Sequence, residues 1–120
     1  ANYSISCVCS SDWLPFCDFR SPKTPVIYDS TAGAIASSGL IELSRWVSEE
    51  EKNIYESAAG KILMAMDKEF CNWDESEDGI LMMGTERYHG ETGRHIPIIY
   101  GDYFFIEAIS KIRGNVFQIW

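Results

Sequence analysis

The sequence predicts an all-α fold in which helical hairpins belong to a larger helical assembly. Two adjacent stretches, 29–47 and 48–66, repeat apolar residues at spacings of three and four, the period of a helix that buries one face. Almost no linker separates them, so they are expected to fold back on each other as an αα-hairpin. The first stretch is also rich in glycine, alanine and serine, and three helices cannot enclose such a helix well.

The region 1–28 is expected to be irregular after a short opening segment. Pro15, Pro22 and Pro25 interrupt any helix there, because proline donates no backbone N–H and clashes with the preceding turn. Regular structure therefore begins near residue 29.

The first predicted helix begins at Asp29, whose carboxylate can accept an otherwise unpaired backbone N–H. Gly33 and Gly39 each cost about 0.8–1 kcal/mol in a helix interior relative to alanine. Their presence predicts that neighbouring backbones approach this helix closely on more than one side. The expected buried stripe comprises Ala32, Ile35, Ala36, Gly39, Leu40, Leu43 and Val47.

The second predicted helix begins with a capping box, in which Ser48 can accept the N–H of Glu51. Three consecutive acidic residues, 49–51, lie where the helix dipole is positive, which stabilises the helix start. The expected inward face comprises Ile54, Ala58, Ile62, Ala65 and Met66.

Helical periodicity fails between Cys71 and Tyr100. Residues 84–95 form a polar, glycine-rich loop that is longer than ordinary connections, and long ordered loops are often functional. A third helix is predicted from Asp102, as its N-cap, to Gly114, as the left-handed residue after its end. Its buried side is expected to contain Phe105, Ile109 and Ile112, and a short extended tail is expected at 116–120.

Composition limits the partners and cofactors of the chain. The formal net charge is −8 and no basic cluster is visible, so no nucleic acid is expected to bind. No apolar run approaches the ~18–20 residues that a membrane span needs. Cys7 and Cys9 are two residues apart, the other two cysteines stand alone, and His89 and His95 are six apart. These spacings do not match a zinc site. We therefore expect neither metal nor cofactor.

Free cysteine is among the most buried residue types, so the four cysteines are interpreted as buried free thiols. Unpaired thiols favour a reducing compartment, and no signal peptide opens the chain. A cytoplasmic location is therefore favoured. Because Ala1 is not an initiator methionine, we expect processing or a longer natural chain.

Four segments match a known set of motifs, in the right order. Residues 29–43 fit D-S-[ST]-A-x-A-I-A-x-S-G-L-x-E-L, residues 79–81 fit G-I-L, and residues 100–108 fit [YW]-G-D-Y-[FY]-[FY]-x-E-A. Residues 14–19 fit P-x-W-D-F, with Cys17 where tryptophan is usual. Together they resemble glycoside hydrolase family 88, the unsaturated glucuronyl hydrolases.

The resemblance covers only the C-terminal third of the family's proteins. It implies that residues 1–120 are a single segment of a larger (α/α)6 barrel of the six-hairpin type. The implied activity releases 4,5-unsaturated uronic acid from lyase-generated oligosaccharides, as an aspartate hydrates the double bond by proton transfer. The family's catalytic aspartates and its tryptophan- and arginine-containing substrate stretch lie upstream of the matching region. No catalytic residue is therefore expected in this chain, which alone should be inactive.

Four residues are predicted to bind substrate. By position, the loop 84–95 matches a segment that shapes the family's substrate entrance. Arg94 can pair with a sugar carboxylate or sulfate through its planar fork of donors, and Thr92 and His95 can donate to the same anion. Tyr100 can stack on a sugar ring. Each also has an ordinary interpretation: solvated surface residues for the first three and core packing for Tyr100.

Three functions stay open on the sequence alone. The chain can be part of an unsaturated glucuronyl hydrolase, acting on an unsaturated oligosaccharide with the missing N-terminal portion. In that case its exposed barrel face also allows self-association. Alternatively it is a free-standing helical protein-interaction module or pseudoenzyme remnant. The third function is that of a lectin-like carbohydrate binder.

Overall fold

The structure is a computed structural model that describes residues 1–90 and 92–115. Across these residues the chain is helical, with three isolated β-bridges and no strand, which confirms the all-α prediction. No helix in this part of the chain is long and apolar enough to cross a membrane. The expected tail at 116–120 lies outside the described residues. The four helices are α1 (Asn2–Cys9), α2 (Ser30–Leu43), α3 (Glu49–Phe70) and α4 (Ile99–Ile112), with a 3₁₀ turn at Ser44–Trp46.

Helix α2 is central, because both α3 and α4 pack against it. A Cβ atom added at Gly33 would lie 2.6 Å from the Pro15 Cγ and 2.8 Å from the Met66 Sδ, so the close approach predicted for this glycine is confirmed. At Gly39 no atom lies within 4 Å of such a Cβ. For Gly39 the predicted close approach is not found among the described residues and stays a prediction.

The buried face of α2 is not the apolar stripe that the sequence predicts. Of that stripe only Leu40 is buried, whereas Ala32 and Gly39 are exposed and Ile35 is 44% exposed. Small side chains form the interior face because they let the neighbouring helices approach closely. The buried residues of α2 are Ser30, Gly33, Ala34, Ser37, Ser38, Leu40 and Ile41.

Helix α3 begins as predicted, with the Ser48 hydroxyl accepting the Glu51 N–H at 3.4 Å. Its inward face is confirmed at Ala58, Ile62 and Met66 and is wrong at Ile54, which is 53% exposed. The buried face also includes residues one position after those predicted, such as Tyr55 and Ala59. Periodicity therefore locates the face with an error of about one residue. The buried residues of α3 are Tyr55, Ala58, Ala59, Ile62, Leu63, Met66 and Phe70.

Helix α4 begins four residues before the predicted start. Its N-cap is Ile98, which makes no side-chain capping bond, so the prediction that Asp102 caps this helix is wrong. The carboxylate of Asp102 is used by a different segment instead. Phe105 is buried, Ile112 is exposed, and Gly114 follows the helix at φ +79°, as a left-handed terminating residue should.

The two glycines of α2 provide a matched test of this packing. We expect Gly33→Ala to lower the free energy of unfolding by about 1–3 kcal/mol, because the methyl group overpacks the contact with Pro15 and Met66. Gly39→Ala should raise it by about 0.5–1 kcal/mol, since the new Cβ meets nothing and the unfolded chain loses entropy. Urea unfolding followed by circular dichroism measures both. A Gly39→Ala variant as unstable as Gly33→Ala would contradict the open face seen here.

Candidate functional site

The segment that precedes α2 is held along one edge by residues 15–17. The Cys17 N–H donates to the Ile27 carbonyl at 2.9 Å, and the Asp29 N–H donates to the Pro15 carbonyl at 2.9 Å. These two bonds place an extended piece of chain directly before the first turn of α2. The polar backbone groups between them are left to face the opposite side.

On that opposite edge, Tyr28 bonds to the polar loop. The Tyr28 N–H donates to the Nε2 of His95 at 3.1 Å, and the Tyr28 carbonyl accepts from the Thr85 hydroxyl at 2.6 Å. The His95 N–H in turn donates to the Thr85 Oγ1 at 3.4 Å. Tyr28 thus lies between two parts of the chain that are distant in sequence, and its two backbone groups fix the loop against α2.

Asp29 strengthens the same junction. Its Oδ1 accepts the Thr31 N–H at 3.2 Å, which confirms the predicted N-cap of α2. The same oxygen accepts the Thr85 N–H at 3.3 Å. One carboxylate therefore terminates a helix and also holds the first residues of the loop, in the positive field of the helix N-terminus.

Asp102 plays the equivalent part on α4. Its Oδ1 accepts the Leu81 N–H at 2.7 Å and the Ile80 N–H at 3.2 Å. Leu81 is fully buried, so these bonds fix a segment without helical structure in the core. The aspartate of the predicted Y-G-D-Y motif is a structural anchor in this chain.

The polar loop has a narrow neck. Gly84 and Ile96 exchange two backbone hydrogen bonds of 2.9 Å each, and the Glu86 N–H donates to the Gly93 carbonyl at 2.9 Å. A Cβ at Gly84 would lie 2.9 Å from both the Ile96 carbonyl oxygen and the Thr31 Oγ1, so only glycine fits at the neck. The described parts of the loop, 84–90 and 92–95, therefore form a hairpin-like projection at the N-terminal end of α2.

Arg94 is half-buried within this loop. Its Nη2 donates to the Tyr88 carbonyl, and its guanidinium carbon lies 5.9 Å from the centre of the Tyr88 ring. Its Nε is buried and has no hydrogen-bond partner among the described residues. A guanidinium held by one carbonyl keeps donors available for an anion, because it carries five N–H groups.

An apolar groove of about 810 Å³ lies between α1 and α2. Its floor is the outward stripe of α2, including Ala32, Ala36 and Gly39, and Tyr88 of the polar loop also lines it. The sequence-predicted stripe of α2 is thus apolar because it faces this groove. The α1 side contributes Tyr3, Ile5 and Val8, and residues 15–20 complete the wall.

The structure brings two of the four predicted substrate-binding residues together. Arg94 and His95 are adjacent in the loop, and Thr92 is exposed near its tip. The His95 Nε2 is occupied as an acceptor, so only its Nδ1 can donate to a ligand. Tyr100 is 66% exposed on the first turn of α4. The sequence analysis does not identify Tyr28, Thr85 or Tyr88 as site residues. Their contacts involve residues distant along the chain or depend on the geometry of the loop, so no local sequence pattern indicates them.

All four cysteines are free, as predicted, but the prediction that they are buried is wrong. Cys9 is exposed and the others are only partly covered. Burial, then the carboxylates of Asp67 and Asp102, raises the pKa of the Cys71 thiol to about 12, which disfavours a thiolate. Within 1–90 and 92–115, no three histidine, cysteine, aspartate or glutamate side chains are grouped so as to hold a metal ion.

Comparison with known proteins finds one consistent set of relatives. The chain is 28% identical over 113 residues to the unsaturated glucuronyl hydrolase of Bacillus sp. strain GL1, covering 91% of this chain and 30% of that protein. It is 32% identical over 95 residues to the unsaturated chondroitin disaccharide hydrolase of Streptococcus pyogenes serotype M1, covering 77% of this chain and 24% of that protein. No protein-family model matches the chain.

A solved structure of the Bacillus sp. GL1 protein superposes on this chain with a TM-score of 0.74 at 30% identity. The superposition covers 86% of this chain and 29% of that one. The chain therefore spans about 30% of the length of these relatives, and its helices match part of their α/α barrel. This confirms the predicted fold class.

Replacement of Asp102 tests its role as an anchor. Asp102→Ala should lower the free energy of unfolding by about 2–3 kcal/mol, because the Ile80 and Leu81 N–H groups lose a charged acceptor. Asp102→Asn keeps one carbonyl oxygen and should cost less. Urea unfolding measures both, with the exposed Asp78→Ala as the matched control. Equal stability of Asp102→Ala and Asp78→Ala would show that the anchor is unimportant.

Proposed function

The chain belongs to the unsaturated glucuronyl hydrolase family, and we propose on that premise that it forms the C-terminal portion of such an enzyme. In this proposal residues 1–120 are one segment of a larger (α/α)6-barrel domain. The complete enzyme releases 4,5-unsaturated uronic acid from oligosaccharides by hydrating the double bond. The catalytic aspartates belong to the preceding portion, so the chain alone is inactive.

One observation carries this proposal: α2 has two sides that both require neighbours. One side of α2, rich in small residues, packs against α3 and α4, and the neighbouring side forms the apolar floor of the open groove. Removal of such apolar surface from water by another element is favourable, and exposed apolar patches often mark contact sites. The missing helices of the barrel supply that cover, which explains why α2 is apolar on one side and closely packed on the other.

The loop 84–95 is proposed to contribute substrate contacts at one rim of the barrel. An unsaturated uronic acid carries a carboxylate, and Arg94 offers a half-buried guanidinium on the polar loop. A bidentate arginine contact is among the strongest that a protein makes to a carboxylate. Thr92 and the Nδ1 of His95 are candidates for the same anion, and the exposed ring of Tyr100 for stacking on the sugar.

A complementation experiment tests the barrel proposal. We expect the chain alone to leave an unsaturated glucuronyl disaccharide intact. Adding the portion of the Bacillus sp. GL1 enzyme that this chain does not match should produce turnover, measured as loss of the ultraviolet absorbance of the sugar double bond. Ala36→Asp, which places a charge on the groove floor, should abolish complementation while the exposed-site variant Asp78→Ala retains it.

Failure of complementation can be interpreted if the isolated chain is also shown to be soluble and monomeric and to unfold cooperatively in calorimetry. That combination would contradict the barrel proposal and favour a free-standing protein-interaction module. Titration of the disaccharide into the isolated chain separates out the third function, because a lectin-like binder releases heat on binding without any partner.

Substitution of Arg94 tests the substrate contact in the complemented enzyme. Arg94→Ala should raise KM by about 10–100-fold, because one charge-assisted contact contributes about 1.5–3 kcal/mol, and should change kcat much less. Arg94→Lys should be intermediate, since lysine keeps the charge and loses the planar fork. The control is Arg113→Ala, because Arg113 follows the C-terminal end of α4, whereas the Arg94 loop precedes its N-terminal end. A KM equal to that of the control would remove Arg94 from the site.

A further inference from the structure

We propose that neutral His95 is a positioning residue that latches the Arg94 loop onto the segment before α2, and that protonation of its ring releases the loop. The latch is the bond from the Tyr28 N–H to the His95 Nε2, at 3.1 Å. The two rings lie 6.1 Å apart between centroids, at an angle of 38°. The bond joins residues separated by 67 positions and adds to the bonds from Thr85 to Tyr28 and Asp29 that also connect the loop to this segment.

The chemistry of imidazole makes this latch dependent on protonation. A neutral imidazole has one nitrogen that donates and one that accepts, whereas both nitrogens donate in the protonated ring. A backbone N–H can only donate, so the Nε2 facing Tyr28 must be bare and the Nδ1 must carry the hydrogen. A proton on Nε2 would place two donors opposite each other, and the bond would be lost.

The backbone at His95 shows what the latch holds in place. His95 has φ +56°, a left-handed conformation that is uncommon for residues other than glycine. Such a conformation persists where surrounding bonds determine it, and here the ring bond to Tyr28 and the backbone bond to Thr85 both do so. Arg94 immediately precedes His95 in the loop. Release of the ring therefore frees the segment that orients Arg94, while the Gly84–Ile96 neck stays closed.

The elements packed around the latch carry other ionisable groups. Asp29 follows Tyr28 and bonds to Thr85, Cys17 bonds to Ile27 and precedes Asp18 in the chain, and Glu86 and Arg94 belong to the loop itself. Helix α3 reaches Tyr28 through Phe70, which carries no charge. Carboxylates and tyrosine ordinarily titrate outside pH 5–7, arginine stays charged, and burial with the nearby Asp29 and Asp18 raises the pKa of Cys17.

The chain has only two histidines, which makes the response assignable. His89 is exposed in the same loop, and its ring lies perpendicular to the Tyr88 ring with 5.0 Å between centroids. It is a matched control, because it shares the loop and the side-chain chemistry but forms no latch. Any pH effect that needs His95 and not His89 reports the bond to Tyr28.

Amide hydrogen exchange of the isotope-labelled chain tests the latch without any sugar. We expect the protection of the Tyr28 amide, corrected for intrinsic exchange, to fall about tenfold between pH 7 and pH 5, the factor that one ordinary hydrogen bond provides. The Gly84 and Ile96 amides at the neck should keep their protection. Unchanged Tyr28 protection between the two pH values would overturn the proposal.

Two variants separate the latch from a merely structural role. In His95→Gln the side-chain oxygen can accept the same N–H and does not titrate, so protection should be retained at both pH values. His95→Phe keeps an aromatic ring but has no hydrogen-bond acceptor, so protection of the Tyr28 amide should be low at both pH values. His89→Gln should respond to pH as the unaltered chain does. A pH response that survives in His95→Gln would contradict the assignment to His95.

The consequence for sugar binding deepens the proposed function and rests on it. If the loop presents Arg94 to a uronic acid, KM of the complemented enzyme should rise below pH 6 in the unaltered chain and much less in His95→Gln. If Tyr28 amide protection falls at pH 5 but Arg94→Ala leaves KM unchanged, the latch is supported and the sugar contact is contradicted. If Arg94→Ala raises KM but Tyr28 amide protection does not change with pH, only the latch is contradicted.

Discussion

Two carboxylates at the starts of two helices determine the arrangement of everything at this end of the molecule. Asp29 and Asp102 lie in the N-terminal regions of α2 and α4, where the unpaired backbone N–H groups and the helix dipole favour negative charge. Each also accepts N–H groups from the segment 80–85, Asp102 at its beginning and Asp29 at its end. A segment without regular structure is thereby fixed at both ends, and the polar loop that follows starts from a defined position.

Close contacts between α2 and α4 also fix the two helices relative to each other along their length. A Cβ at Gly101 would lie 3.1 Å from the Thr31 Oγ1, so the first turns approach nearly backbone to backbone. Further along, the Ser38 hydroxyl donates to the Glu107 carboxylate and accepts from the Lys111 ammonium at 3.0 Å. Charged groups that are largely covered need such partners, because an unpaired buried charge is costly. Small and polar residues therefore replace apolar ones on the inner face of α2.

How far the sequence predicts this structure depends on whether a feature is local. Caps and periodicity locate the start of α2 and α3, because Asp29 and Ser48 act on N–H groups two or three residues away. The buried face of α2 is missed because the apolar pattern identifies the side that other elements must cover, while the packed side uses glycine, alanine and serine. The role of Asp102 is missed because its partners lie about twenty residues upstream.

In the candidate site, even fewer of the contacts are local and therefore predictable from the sequence. The loop and Arg94 are recognisable from composition and motif order, but the bonds that orient them join Tyr28 to Thr85 and His95 across more than fifty residues. Tyr88 then links the loop to the groove, since it lines the groove and also accepts the hydrogen bond of Arg94. Tyr88 is therefore the residue at which the groove and the arginine-bearing loop meet, and the position of Arg94 cannot be derived from the loop sequence alone.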